Sequence, residues 1–397
     1  MVISKTKLIY TAFALVFILS IFTGSDIVIF SYEAELIIVL GIIMLCDGLT
    51  KHRLFHLNPD KGLLVLFLCQ IAYMILGYFL YSLYPWKTLT FILRHITMVP
   101  FLLFSIEKVY LEKLLKLCRK YIILVVLVYY IMWLYQGNNG SFLNNYQYVA
   151  AYSSILVAIL LAKLFTFPSF TKKDVAEIIF FLGAILLTGK RSYILVLAVL
   201  FLIGMFFLKS SHKGSKVIRF VVPVGLVLAL ILMVSPQLLL SITRLMNLGN
   251  DVSLSGRTRL WDLAKYLWSL NPINGVGYGV FSTYTANNLN YVYSNFGVQS
   301  TFAAHNIYLQ LLAETGLVGL VLFCLFFIRA LVVCINLIKK TTAVDDRYLL
   351  VVSLFMQLWF LLYGFSGNPL YMPGQFAMYL FAICMTRSVR SGKDWKT

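Results

Sequence analysis

The side chains able to do chemistry gather in two stretches, Thr188-Gly189-Lys190-Arg191-Ser192 and the polar run from Ser255 to Gly319. The second begins Ser255-Gly256-Arg257-Thr258-Arg259-Leu260-Trp261, continues through Gly275-Val276-Gly277-Tyr278-Gly279, and closes on His305-Asn306 with Glu314, Gly316 and Gly319 beyond. Arginine presents a planar fork of donors that matches phosphate oxygens in pairs. Histidine exchanges a proton near neutral pH. Together they suit neutralisation of an anion beside a proton transfer. Each group also has a plainer reading. Lys190 and Arg191 sit at a hairpin tip, either snorkelling to the headgroup level or clamping an anion at the start of the next helix. Arg257 and Arg259 belong to an interfacial helix, with solvated cations or with an anion at its N-terminal end. Arg94 and His95 lie inside an apolar span, where a charge costs at least about 2.5 kcal/mol and needs a structural partner or a wet cavity. A lone histidine at an interface is usually structural, but His305 shares its side with several arginines.

Other chemistries fit poorly. The glycine run has no preceding strand and no following lysine, so it is not a phosphate loop; tight turns that fold the chain back are the simpler reading. Between Ser235 and Ala304, Asp251 and Asp262 are the acids, too few and too scattered for paired-carboxylate glycoside hydrolysis or a metal site. The six cysteines fall in apolar spans or on the basic face, so neither a disulfide nor a metal centre is expected.

The elements that must hold these residues are membrane helices. Of 397 residues 61% are hydrophobic and 12% charged, with a mean hydropathy of +0.87, outside the soluble range. Apolar runs predict about twelve spans of roughly 20 residues, near 8–30, 33–47, 62–84, 88–106, 121–136, 147–166, 175–189, 192–208, 218–236, 306–336, 348–366 and 374–387. Alternating the faces collects Lys5 with Lys7, Lys108 to Lys120, Lys172 with Lys173, Lys209 to Arg219, Lys339 with Lys340, and the tail from Arg387 on one side. The net charge of +18 is therefore read as the positive-inside pattern rather than as nucleic-acid binding, with both termini cytoplasmic. Residues 107–120 read as an amphipathic helix lying along that face. The chain is expected to be one domain, 1–397, all-α, with an extracytoplasmic loop 235–305. Within the loop, Leu260, Leu263, Ala264, Leu267 and Trp268 share one face of a surface helix over 257–269, with Ser255 as N-cap and Asn271-Pro272 as its stop. Arg257, Trp261 and Lys265 line another face.

The ordered set Gly-Arg-x-x-Leu-Trp, Pro272, Gly275-Val276-Gly277, His305-Asn306-x-x-Leu309 and Glu314-x-Gly316-x-x-Gly319 resembles the O-antigen ligase and polymerase superfamily. The Gly189-Lys190-Arg191-Ser192 turn is similar to that family's Gly-x-Arg-Ser hairpin. The resemblance implies a membrane glycosyltransferase of the C type in a bacterial cytoplasmic membrane. Its donors are glycans on undecaprenyl diphosphate, handled at the outer face without cofactor or metal. It implies Arg191 and Arg257 on the diphosphate, with Arg259 competing for that place, and His305 beside the acceptor hydroxyl. Lys190, Arg94, Trp261 and Tyr278 are substrate-binding candidates. Tyr278, Phe281, Tyr284, Tyr291, Tyr293 and Phe296 either stack on sugars or form an interfacial belt. A polymerase of lipid-linked repeat units is the leading expectation, with a chain-length regulator as a partner. An O-antigen ligase acting on lipid A-core is the alternative within the class, and a flippase of lipid-linked sugars the alternative outside it.

Overall fold

The computed structural model describes residues 5–22, 33–50, 54–136, 146–208, 252–298 and 303–394, with isolated positions between 214 and 225. The expected span 218–236, the loop at 138–145 and the segment 235–251 fall largely or wholly outside these residues.

The described residues are mostly helical. Among the described residues five helices are long and apolar enough to cross a membrane: α3 (Lys61–Leu80), α6 (Lys108–Gln136), α7 (Tyr146–Thr166), α13 (Ile307–Lys340) and α14 (Val344–Tyr363). Around them lie α1 (Lys5–Phe22), α2 (Glu33–Gly48), α4 (Pro85–Met98), α8 (Lys172–Leu187), α9 (Arg191–Phe207) and α15 (Pro373–Asp394). Large apolar side chains stay exposed in helical stripes, Leu317, Val321, Leu325, Ile328, Val332 and Ile335 on α13 and Leu124, Leu127, Ile131 and Leu134 on α6. Such long stripes are untenable in water and fit acyl chains. This is a polytopic helical membrane protein. Its centre is α7, where Ala150, Ala151, Ala158 and Ala162 are fully buried and let neighbouring helices approach closely. There Trp359 of α14 donates to Ser154 Oγ at 2.8 Å.

Two expected elements differ. The span at 88–106 is broken: α4 ends at Met98, a four-residue helix α5 (Pro100–Leu103) follows, and the chain becomes extended. Pro100 lacks the N–H that would continue α4 and starts the next turn instead. The extended piece, β2 (Phe104–Ile106), pairs antiparallel with β1 (Phe55–Leu57). The β2 backbone is buried inside the protein, where its polar groups find partners. Asp47 Oδ2 accepts from Leu54 and Phe55 N–H at 2.6 and 2.9 Å. Arg387, expected at the end of the last span where the basic tail begins, is buried and donates to the carbonyls of Asn58, Leu102, Phe101 and Phe104. Residues 107–120 are not a separate surface helix. They continue into the next span as α6, 29 residues or about 43 Å long, because nothing between Lys108 and Gln136 stops a helix.

The polar excursion is folded. It forms α10 (Val252–Leu270), α11 (Phe281–Asn287) and α12 (Leu289–Phe296). The helix expected over 257–269 starts five residues earlier, so Ser255 lies within it rather than capping it. A second, smaller core joins Leu260, Leu263 and Leu267 of α10 to Val276, Phe281, Val292, Ala304 and Ala313.

Candidate functional site

The site is built on a helix that is deliberately broken. Asn306 caps α13, its Oδ1 accepting from Tyr308 and Leu309 N–H at 3.0 and 3.1 Å. Three turns later Gly316 has φ 60° and ψ −165°, a conformation essentially confined to glycine. The glycine loop fills the break. Val276 N–H donates to Ala313 O, Gly277 N–H to Glu314 O, Leu317 N–H to Pro272 O and Val318 N–H to Ile273 O. A Cβ on Gly275 would lie 2.4 Å from the Glu314 carbonyl carbon, and one on Gly316 2.2 Å from Ile273 O. The glycines are there for close backbone approach.

Glu314 locks this junction. It is fully buried, and its carboxylate accepts from Gly279 N–H at 2.7 Å, Phe281 N–H at 2.9 Å, Tyr371 OH at 2.6 Å and Gln310 Nε2 at 3.1 Å. Gln310 in turn accepts from Ala304 N–H at 3.1 Å through its Oε1. Trp261 of α10 donates to Ala304 O at 3.1 Å. Both the N–H and the C=O of Ala304 are thus held, and the next residue is His305.

His305 is the one non-glycine residue with positive φ among the described residues, at 52°, a conformation that costs about 1 kcal/mol or more unless its neighbours enforce it. Arg257 from α10 and Lys190 from the turn before α9 both lie within electrostatic reach of its ring. Burial first, then the Arg257 and Lys190 charges, push its pKa from 6.5 down to about 4. At neutral pH the imidazole is uncharged and can accept a proton. Burial, and then Arg257, also pull the Lys190 ammonium below its usual range. Two cations act on a half-buried neutral histidine and on each other. The arrangement favours an anion beside a proton acceptor.

The other expected residues are placed as follows. Arg191 is the first residue of α9, next to Lys190 and half-buried; it is Lys190 whose charge reaches Arg257 and His305. Arg259 is exposed and donates to Gly297 O at 3.1 Å, at the C-terminal end of α12, while Arg257 faces His305. Two residues, roughly half a helical turn, direct the two arginines to different sides of α10. Trp261 has its indole N–H committed to Ala304. Arg94 lies over the Phe91 ring at 5.0 Å and borders a small cavity with His95 and Tyr371, on a different set of neighbours from Arg257. Tyr278 corrects the expectation of sugar stacking. It is 2% exposed, packed against Phe91, His95, Phe323 and Tyr371, and has no free face. Phe281 is buried as well, whereas Tyr291 and Tyr293 are exposed. Among the described residues no group of three or more His, Cys, Asp or Glu side chains is placed to hold a metal ion. Motif reading missed Gln310, and it took in Glu314 as part of a motif without giving it a role. The available signal was a carboxylate inside an apolar span, which demands partners.

Residues 176–324, which contain the α8–α9 turn, α10 and the break in α13, match the family model described as O-Antigen ligase. Over that stretch the chain is similar to the O-antigen ligase family. It is also similar to the exopolysaccharide production protein ExoQ of Rhizobium meliloti (strain 1021), 31% identical over 84 residues. That stretch is 21% of this chain and 19% of the relative, so the similarity spans about a fifth of either length.

Proposed function

We propose that the protein is a glycosyltransferase that polymerises oligosaccharide repeat units carried on undecaprenyl diphosphate, at the outer face of a bacterial cytoplasmic membrane. The single observation behind the reading is the convergence of Arg257 and Lys190 on a neutral, half-buried His305. The acceptor hydroxyl attacks the anomeric carbon of the donor glycan, the bond from that carbon to the diphosphate oxygen breaks, and the hydroxyl proton passes to His305. Charge developing on the leaving diphosphate falls on Arg257 and Lys190, with Arg191 beside them, so the donor set asks for no metal. Single units of free energy decide such a site: one donor aimed at developing charge is worth roughly a hundredfold to a thousandfold in rate.

The name of the similar exopolysaccharide production protein supports polymer extension, whereas the description of the matching family favours a second reading, transfer of a finished glycan to lipid A-core. Purified protein given a lipid-linked repeat unit alone decides between them. A ladder of lipid-linked products is expected; transfer that requires lipid A-core and yields no ladder overturns the polymerase reading. Chelation by EDTA is expected to leave the ladder intact.

A further inference from the structure

At the far end of the bundle from His305 lies a cavity of about 360 Å³ between α6, α7, α8 and α14. Its distance from the site follows from α14, which carries Asp345 and Leu349 at one end and Tyr363, near Arg257, at the other. Twenty residues of helix separate the two ends by about 30 Å. We propose that this cavity binds a phospholipid whose head carries both a phosphate and a primary ammonium.

The walls divide by polarity. Leu156, Ile159, Leu160, Phe181 and Leu349 line the inner part. Glu112, Lys116, Arg119, Lys163, Glu177 and Asp345 supply its charged lining, nearer the helix ends, interleaved there with Leu115, Phe167 and Tyr348. The division coincides with the point on α6 where charged turns give way to the apolar run from Tyr121, which is the headgroup boundary of a membrane helix. An occupant with one apolar and one polar end is therefore required.

The polar end is specified by which charges are already used. Arg119 Nε donates to Glu177 Oε2 at 2.9 Å, and Lys163 pairs with Asp174 at 2.7 Å. Glu112, Lys116 and Asp345 make no ion pair or side-chain hydrogen bond among the described residues. One ammonium and two carboxylates thus face the cavity unspent. A head with a phosphate alone would meet Lys116 but also two uncompensated carboxylates. A quaternary ammonium has no N–H to give them. A primary ammonium offers three donors for Glu112 and Asp345, while its phosphate takes Lys116 and the remaining guanidinium N–H groups of Arg119.

The test uses the full-length protein in nanodiscs of equimolar phosphatidylethanolamine, phosphatidylcholine and phosphatidylglycerol, with native mass spectrometry of the lipid retained after detergent exchange. Phosphatidylethanolamine is expected to be enriched about threefold or more over each of the others, the scale of a partly exposed ionic contact. The Glu112→Gln/Asp345→Asn pair should erase that preference, and Lys116→Gln should lower retention of all three. Equal retention, enrichment of phosphatidylglycerol, or a preference that survives the double substitution overturns the proposal. A photoreactive phosphatidylethanolamine supplies a measurement on the unaltered chain. Adducts on residues 112–119 and 156–163 support the site, and adducts spread evenly over the outer helices refute it. Neither readout involves glycan transfer, so failure here is distinct from failure of the polymerase reading.

Discussion

The most demanding prediction concerns the proton of His305. Its pKa of about 4, against 6.5 for an ordinary histidine, is a difference of about 3 kcal/mol between its two protonation states. At pH 7 the ring is neutral by a factor of roughly a thousand, where a solvated histidine would be neutral by about threefold. The acid limb of kcat/KM, which reports the free enzyme, should therefore lie near pH 4 to 5 rather than 6.5. Binding of a diphosphate adds negative charge beside Arg257 and Lys190, so the limb of kcat, which reports the complex, should move upward. Replacing Lys190 with glutamine removes a cation, and the limb of kcat/KM should rise toward 6.5. Folding carries the same sign: the unfolded chain takes a proton at about 6.5 and the folded site resists until about 4, so the His305 contribution is intact above pH 6.5 and is lost as pH falls toward 4. The assay is the pH dependence of ladder formation, paired with ¹⁵N chemical shifts of labelled histidine in detergent. An acid limb at 6.5 that Lys190→Gln leaves in place would refute the reasoning.

Three further outcomes follow from the geometry. Arg257→Ala should lower turnover by about a hundredfold or more, whereas Arg259→Ala, losing a bond to Gly297 O at the surface, should change it by less than about tenfold; equal losses would reject the division of labour between them. Glu314→Leu strands two backbone N–H groups, a phenol and the Gln310 amide, each worth about 1–3 kcal/mol when left unpaired and buried, and should lower thermal stability in detergent by about 4 kcal/mol or more. Gly316→Ala places a Cβ against Ile273 O in a backbone region that only glycine visits readily, so both melting temperature and turnover should fall, while Gly256→Ala, which meets open space, should be silent.

The cations of the site were legible because each sat against a charge pattern that needed a reason, and His305 because it stood beside them. Arg257 and Arg259 were not separable by spacing. Two positions on one helical turn diverge by direction alone, and the direction is set by Gly297, 38 residues from Arg259. Tyr278 was misread for a similar reason: aromatic residues near an interface look alike until the packing of Phe91 and Phe323 hides one of them. The break at Pro100 was visible as a proline inside an apolar run. The continuity of α6 was visible too, since a change from amphipathic to apolar pattern is not a helix stop. Arg387 could not be read at all, because its four carbonyl partners come from two segments, at Asn58 and at Phe101 to Phe104, each more than about 280 residues away.

The splice between the glycine loop and α13 decides what kind of object the polar excursion is. Lifting residues 272–279 off the broken helix would leave the N–H groups of Val276, Gly277, Leu317 and Val318 without partners. At about 1–3 kcal/mol for each buried group, four of them set a cost comparable to unfolding a small domain. The loop is a fixed wall rather than a lid. It moves with α13, carries His305 and the base of α10 as one body, and leaves the admission of any substrate to segments that do not share those bonds.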